Sequence, residues 1–446
     1  MKNTTTQFDL VKKFLKGSFL LLFLIGCQDL ESPVLEEQDN ALEFYSESIP
    51  GEYIVRLNPL TLNFRKTNHY PSDQASMRKF AGDILATHKI SADKIQLTYA
   101  AALEGFSAKL SPEQVDALRK DSRVYYIEQD EIITLGKPEN GGGGKGNGKG
   151  GNKNPEPAPE PTPDPTPDPT PDPTPDPSPT PYEPETSAPT QEVPWGIQRI
   201  GGFSTYRGTN VAFVIDTGID LDHVDLNVNT ALGFKGVPDE VSTTLDDEHS
   251  HGTHVAGTIA AVNNTFGVVG VAAGAPVVPI KVLGPTGSGQ KSWVIAGIDH
   301  VAAVGKPGDV ANLSLGGSAS LAQDEAVKNA ANKGIFFVIA AGNNAADANL
   351  YSPARVNGTN IYTISSMDSN GALSSFSNFG NPPIDFAAPG RSVKSTMPGD
   401  AYGSKSGTSM ATPHVAGMLL LGGVRGEGFV TGDKDATPDP IAFRVF

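Results

Sequence analysis

Hydrophobic positions along this chain fall into two patterned regions separated by a stretch with almost none. In the first region Glu52-Tyr53-Ile54-Val55-Arg56-Leu57 alternates as a strand does, and Ser72 to Thr87 carries Met77, Phe80, Ile84 and Leu85 at helical spacing. Ile95 to Tyr99, Phe106 to Leu110 and Val124 to Glu128 read as further strands. Ser111-Pro112-Glu113-Gln114 supplies a capping serine, a proline at the first helical position and the glutamine of a capping box, so a second helix starts there. The order β-α-β-β-α-β predicts a small α+β ferredoxin-like unit over residues 49–133.

From Val193 onward the apolar runs become continuous: Val211 to Ile215, Val277 to Leu283, Val310 to Leu315, Ile335 to Ala340 and Ile361 to Ser365. Helical segments such as Trp293 to Val304 and Ala319 to Lys333 lie between several of them. Strands without a polar face are covered on both sides, so residues 191–446 are expected to form an α/β domain, a doubly wound parallel sheet with its sites at the carboxyl ends of the strands.

Residues 134–190 cannot build a core. A Gly/Lys/Asn run gives way to a Thr-Pro-Asp-Pro repeat, a composition expected to make a loose segment followed by an extended spacer. At about 3.1 Å per residue, twenty such residues span on the order of 60 Å. Residues 1–26 have a basic start (Lys12, Lys13, Lys16), a short apolar core and Gly26, the pattern of an export signal too short to span a bilayer. Leu24-Ile25-Gly26-Cys27 resembles the lipobox of bacterial lipoprotein signals, which implies lipid at Cys27, followed by a polar spacer over residues 27–48. Cys27 is the single cysteine, so no intramolecular disulfide can form. The net charge of −16 argues against a nucleic-acid partner.

Candidate chemistry lies in the second region. Ser409, in Gly407-Thr408-Ser409-Met410-Ala411-Thr412-Pro413, stands where a loop gives way to an apolar helix, close to the donors of a helix N-terminus. Asp216-Thr217-Gly218 ends the first buried strand, and His251-Gly252-Thr253-His254-Val255-Ala256-Gly257 opens another helix. An imidazole can take the serine proton and return it to a leaving amine, and a carboxylate can fix its tautomer. His249, His251 and His254 lack a zinc pattern. His254, His414 and His300 read as packing residues, and Asp220, Asp222 and Asp225 as a solvated loop.

These motifs, in the order Asp, His, Ser, resemble those of the subtilisin-like serine peptidases, over nearly everything from Val193 to Gly417. The resemblance implies Asp216, His251 and Ser409 as catalytic triad, with Asn343 of Ala340-Ala341-Gly342-Asn343 donating to the oxyanion. It implies Ser314, Leu315 and Gly316 as a strand pairing with polypeptide substrate. It also implies no catalytic cofactor. Pro194-Trp195-Gly196-Ile197 and Ser374-Ser375-Phe376-Ser377-Asn378 look closest to the proteinase K branch, where the position of Asp385 binds a structural calcium. Ile49 to Val55 and Gly105 to Ser111 are similar to the family's inhibitory propeptide. The chain departs from the pattern at Ser250, where glycine is common, at the long stretch after the propeptide-like unit, and in a tail from Gly428 that is hard to place. The expected activity is that of an exported serine endopeptidase made as an autoinhibited precursor, tethered at first through Cys27. A catalytically inactive, surface-anchored binding module on the same fold is the competing reading.

Overall fold

The computed structural model describes residues 44–67, 69–135 and 191–445. The export-type segment with Cys27, nearly all of the polar spacer and the Gly- and Pro-rich stretch lie outside the described residues.

The first region contains strand β1 (Phe44–Leu57), helix α1 (Tyr70–Thr87), strands β2 (Ile95–Tyr99) and β3 (Gly105–Lys109), helix α2 (Pro112–Leu118) and strand β4 (Val124–Leu135). Its sheet runs β4-β1-β3-β2, antiparallel throughout, as the ferredoxin-like order requires. Met77, Phe80, Ile84 and Leu85 of α1 pack on Val55, Leu57 and Phe106. The capping box forms, with Ser111 Oγ accepting from Gln114 N–H and Gln114 Oε1 accepting from Ser111 N–H. Strand β1 begins at Phe44, ahead of the predicted strand at Glu52 and of the unit boundary at 49, because Phe44 to Ser48 pair with Leu135 to Glu131. Tyr45 to Ser48 are largely exposed, so pairing rather than burial holds them, and no apolar pattern announces it.

The second region runs α3 (Trp195–Arg199), β5 (Ser204–Thr205), β6 (Ala212–Asp216), β7 (Phe234–Lys235), α4 (His251–Ala260), β8 (Ala272–Ala273), β9 (Val277–Lys281), β10 (Ser288–Gln290), α5 (Lys291–Val304), β11 (Val310–Leu313) and β12 (Gly317–Ser318). It continues α6 (Leu321–Ala331), β13 (Phe336–Ala340), β14 (Tyr351–Ser352), β15 (Ile361–Met367), β16 (Ile384–Pro389), β17 (Val393–Met397), β18 (Ala401–Lys405), α7 (Thr408–Leu420), β19 (Val424–Phe429) and β20 (Pro440–Arg444). The large sheet has the order β19-β20-β16-β15-β13-β11-β6-β9-β7 and is parallel except for β19. Helices α5 and α6 pack on one face through Ile295, Ile298, Val301 and Ala326. Helices α4 and α7 pack on the other through Val255, Ile259, Val415 and Met418. The tail that sequence left unplaced is the hairpin β19–β20, joined to the sheet by the pairing of Ile441 with Ala387.

The two regions share a core and exchange carboxylate contacts. Ile54, Tyr99, Leu103, Ile133 and Leu135 cluster with Ile295, Ile298 and Leu283. Glu128 accepts from Ser320 Oγ and from the N–H groups of Leu321 and Ala322 at the start of α6, and Asp130 accepts from Ser292 N–H at the start of α5. Anions at helix N-termini satisfy donors that the helices cannot. In the opposite sense, Asp299 of α5 accepts from the N–H groups of Ala100, Ala101 and Ala102 at 2.9, 2.8 and 2.6 Å and from the Tyr70 hydroxyl at 2.9 Å. Burial pushes its carboxyl up, against the pull of these donors. Asp299→Ala removes the shared acceptor and leaves buried N–H groups unpaired. It should cost the uncut chain roughly 3 kcal/mol or more in urea unfolding, while Asp299→Asn, which keeps one acceptor, should cost less.

Candidate active site

The motif residues meet at the carboxyl ends of β6, β11 and β13 and at the starts of α4 and α7. Asp216 is the last residue of β6 and fully buried, and His251 is the first residue of α4. His251 Nδ1 lies 2.8 and 2.9 Å from the two Asp216 carboxylate oxygens, so it donates there and Nε2 is left as the basic nitrogen. Gly252 follows because helix α4 starts against the preceding turn: a Cβ there would lie 2.0 Å from the Gly218 carbonyl oxygen.

Ser409 is the second residue of α7 and 4% exposed. Its hydroxyl donates to the Ser314 carbonyl at 3.0 Å, and no hydrogen bond joins it to His251 among the described residues. Ser314 Oγ in turn donates to the Ser409 carbonyl at 2.8 Å and accepts from Asn312 Nδ2 at 2.9 Å. Ser314, Leu315 and Gly316 are buried, but they are not a strand: β11 ends at Leu313, and the three residues form an extended link to the two-residue strand β12. Asn343 Oδ1 accepts from Thr408 N–H at 2.8 Å and from Thr408 Oγ1 at 2.9 Å, which turns its Nδ2 end toward Gly407. Asn378, in the Ser374 to Asn378 stretch, steadies the loop beyond Asn343 by accepting from Asn344 and Ala346 N–H and donating to Ala341 O.

Asp247 organises this site and has no sequence signal. Its carboxylate accepts from Thr217 Oγ1 (2.8 Å), His249 N–H (2.9 Å), Ser250 N–H (2.9 Å), Thr253 N–H (2.8 Å) and Thr253 Oγ1 (2.7 Å). Burial alone would raise this carboxyl, but the Thr253 and backbone donors together hold it below its ordinary value. One charge thereby fastens the residue after Asp216 to the first turn of the His251 helix. Lys281, also fully buried, donates to the carbonyls of Thr217 and Asp246. Ser250 stands at φ 91, in the left-handed region where glycine is at ease, so the departure from glycine noted in the sequence carries backbone strain of about 1 kcal/mol beside His251.

The loop after Asp216 is not solvated as expected. Asp222 is exposed, but Asp220 accepts from Gly399 N–H, and Asp225 is fully buried, held by Asn264 Nδ2, Val268 N–H and the Tyr402 hydroxyl. Close by, Gln191 Nε2 lies 2.7–3.3 Å from four oxygens: Val262 O, Asn264 Oδ1, Phe266 O and Val268 O. An NH₂ group has two hydrogens, so four converging acceptors exceed what it can serve. That donor set, neutral oxygens with a carboxylate behind them, suits a hard cation. Backbone carbonyls leave no trace in sequence, which is why only Asp385 was legible as a candidate ligand. One Asp385 oxygen accepts from Thr363 N–H at 2.8 Å, and burial raises its carboxyl to about 6. No group of three or more His, Cys, Asp or Glu side chains suited to a metal occurs among the described residues. His254 and His414 are fully buried, their pKa values lowered by burial to about 3 and about 4, and each bonds a backbone carbonyl. His300 stacks on Phe234.

Comparison with known proteins finds a family for each of the two regions. The Subtilase family matches residues 207–422, and Peptidase inhibitor I9 matches residues 52–136. An M-protease from Shouchella clausii (strain KSM-K16) is 38% identical over 323 residues, 71% of this chain and 68% of that one. The chain belongs to the subtilase family. Alkaline serine exoprotease A from Vibrio alginolyticus is 38% identical over 340 residues, 74% of this chain and 53% of its own, so the chain spans about half the length of that relative. A solved cold adapted subtilisin-like serine proteinase is 35% identical, aligned over 56% of this chain and 98% of its own, with a TM-score of 0.49.

For this subtilase-family chain, Asp247→Ala should cost about 3 kcal/mol or more in chemical unfolding, because it strands buried donors. Any turnover that survives should fall in kcat more than it changes in KM, since what is lost is the placing of His251 against Asp216.

Proposed function

We propose that the chain is an exported serine endopeptidase that hydrolyses peptide bonds in proteins and is made with its own inhibitor attached. The observation that carries this reading is the buried Asp216–His251 pair at the start of α4, the helix that packs with the Ser409 helix α7 in one core cluster. In the proposed reaction Ser409 Oγ turns from the Ser314 carbonyl to His251 Nε2 and attacks the scissile carbonyl as the imidazole takes its proton. Asp216 stabilises the imidazolium, which then protonates the leaving amine. Asn343 Nδ2, aimed by Thr408, meets the oxyanion together with backbone N–H at the start of α7. Catalytic hydrogen bonds are often unformed before substrate binds, so the Ser409–Ser314 bond is compatible with this sequence of events.

Autoinhibition is supported by β4. Residues Ile132 to Thr134 pair antiparallel with Gln290 to Ser288, Leu135 N–H donates to Gly287 O, and Ile133 lies against Gly317. An extended segment added to an open edge is how a peptide substrate binds, so the propeptide holds a substrate's place. Substrate would lie in the same cleft, between β10 and the Ser314–Gly316 link.

Finer parts of this reading concern branch, metal and anchor. Likeness to the proteinase K branch rests on the sequence motifs Pro194-Trp195-Gly196-Ile197 and Ser374 to Asn378. Structural calcium fits the Gln191, Asn264 and Asp225 cage better than Asp385, which contributes a single carboxylate; it would join the start of the domain to the 262–268 loop. Anchoring through lipid at Cys27 rests on sequence. A cut between the two regions would release the enzyme from that lipid.

Ser409→Ala should abolish casein hydrolysis, and Asn343→Ala should lower kcat roughly a hundred- to a thousandfold with little change in KM. Equal hydrolysis by wild type and Ser409→Ala would sink the triad assignment, and none by either would favour the binding-module alternative. Chelation by EDTA should lower the unfolding temperature of wild type by several degrees, about 3 kcal/mol for a tightly held ion. The drop should be smaller in Gln191→Leu and unchanged in Asp385→Asn.

A further inference from the structure

Lys405, the last residue of β18, is half-buried, and its ammonium forms no hydrogen bond or ion pair among the described residues. It stands four residues before Ser409, and its backbone pairs with Val393, whose carbonyl bonds the His254 ring one turn along α4 from His251. Hairpin β17–β18 is pinned to that helix by Ser395 Oγ on His254 O and Thr396 Oγ1 on Thr253 O. The Lys405 ammonium is near enough to Asp247 and Asp216 for their charges to favour its protonated form, and near enough to His249 and His254 to disfavour theirs. Burial lowers its pKa beyond what these carboxylates offset. A partly desolvated cation without a partner is costly, and an anion brought to it is correspondingly favoured.

The direction of β4 tells which part of a substrate would meet this cation. The propeptide strand runs toward the site with its carbonyl end leading, between β10 and Gly317, so that side of the cleft receives residues before the scissile bond. The leaving amine departs on the other side, where His251 delivers its proton, and there Glu248, His249 and Ser250, just before His251, share a cleft with Met397, Ala401 and Gly403 of the β17–β18 hairpin. The neighbouring carboxylates are already engaged: Asp216 by His251, Asp247 by five donors, and Glu248 faces Lys281 at 3.5 Å.

We propose that Lys405 is a specificity-determining residue that selects an acidic side chain immediately after the scissile bond. This rests on the peptidase reading above. The test uses internally quenched peptides differing only in that residue (Glu, Ala or Lys), cleaved by the full-length chain after self-processing, with the cut position verified by mass spectrometry. Wild type should prefer Glu to Ala in kcat/KM by about fivefold, as a partly screened ion pair provides, and should disfavour Lys. Lys405→Ala should lose the preference, Lys405→Glu should invert it toward Lys, and Lys405→Arg should keep it. Each preference is a ratio within one preparation, so incomplete folding of a variant cancels. Salt near 1 M should weaken the wild-type preference. Equal cleavage of the three peptides by wild type, or a Glu preference that survives Lys405→Ala, overturns the inference and leaves the peptidase reading standing. Absence of cleavage of every peptide by wild type overturns both.

Discussion

The carboxylate of Asp247 carries more of this site than any group in the motifs. Asp216 ends a strand and His251 begins a helix, and nothing in either element alone fixes the distance between them. Asp247 fixes it by accepting at once from the residue after Asp216 and from the first turn of α4. A buried anion with this many donors resists displacement, since freeing any segment leaves an orphaned donor. That restraint also explains how Ser250 can remain in a left-handed conformation, held between Asp247 and the helix start.

The same principle, a carboxylate shared between segments, recurs where the propeptide meets the larger domain. Glu128 and Asp130 satisfy the starts of α6 and α5, while Asp299 of α5 satisfies three consecutive N–H groups of the propeptide. Apolar packing of Tyr99, Leu103 and Ile133 on Ile295 and Ile298 supplies contact area, and the carboxylates fix the angle. That angle delivers β4 to the edge of β10, so the inhibitory placement follows from helix-end chemistry remote from Ser409.

Much of the fold was legible because burial writes itself into sequence. The runs around Val211, Val277, Val310, Ile335 and Ile361 became the central strands β6, β9, β11, β13 and β15, each with helices on both faces. The ferredoxin-like order was legible for the same reason. What lacks a long apolar run stayed hidden: Phe44 to Ser48 in β1, the β19–β20 hairpin, and the polar loop that buries Asp225.

For the site, sequence determined which chemical groups are present, because Asp216, His251, Asn343 and Ser409 sit in long motifs whose glycines and helix starts have local physical reasons. Only tertiary structure decided what each group touches. It set Ser409 on the Ser314 carbonyl, tied Asp247 to the start of the His251 helix, drew four oxygens around Gln191 and left the Lys405 ammonium without a partner among the described residues. The physical reason is that hydrogen bonds and ion pairs depend on ångström-scale distances between residues tens to hundreds of positions apart. Hydrophobic patterning reports burial along the chain, and it carries no information about those distances.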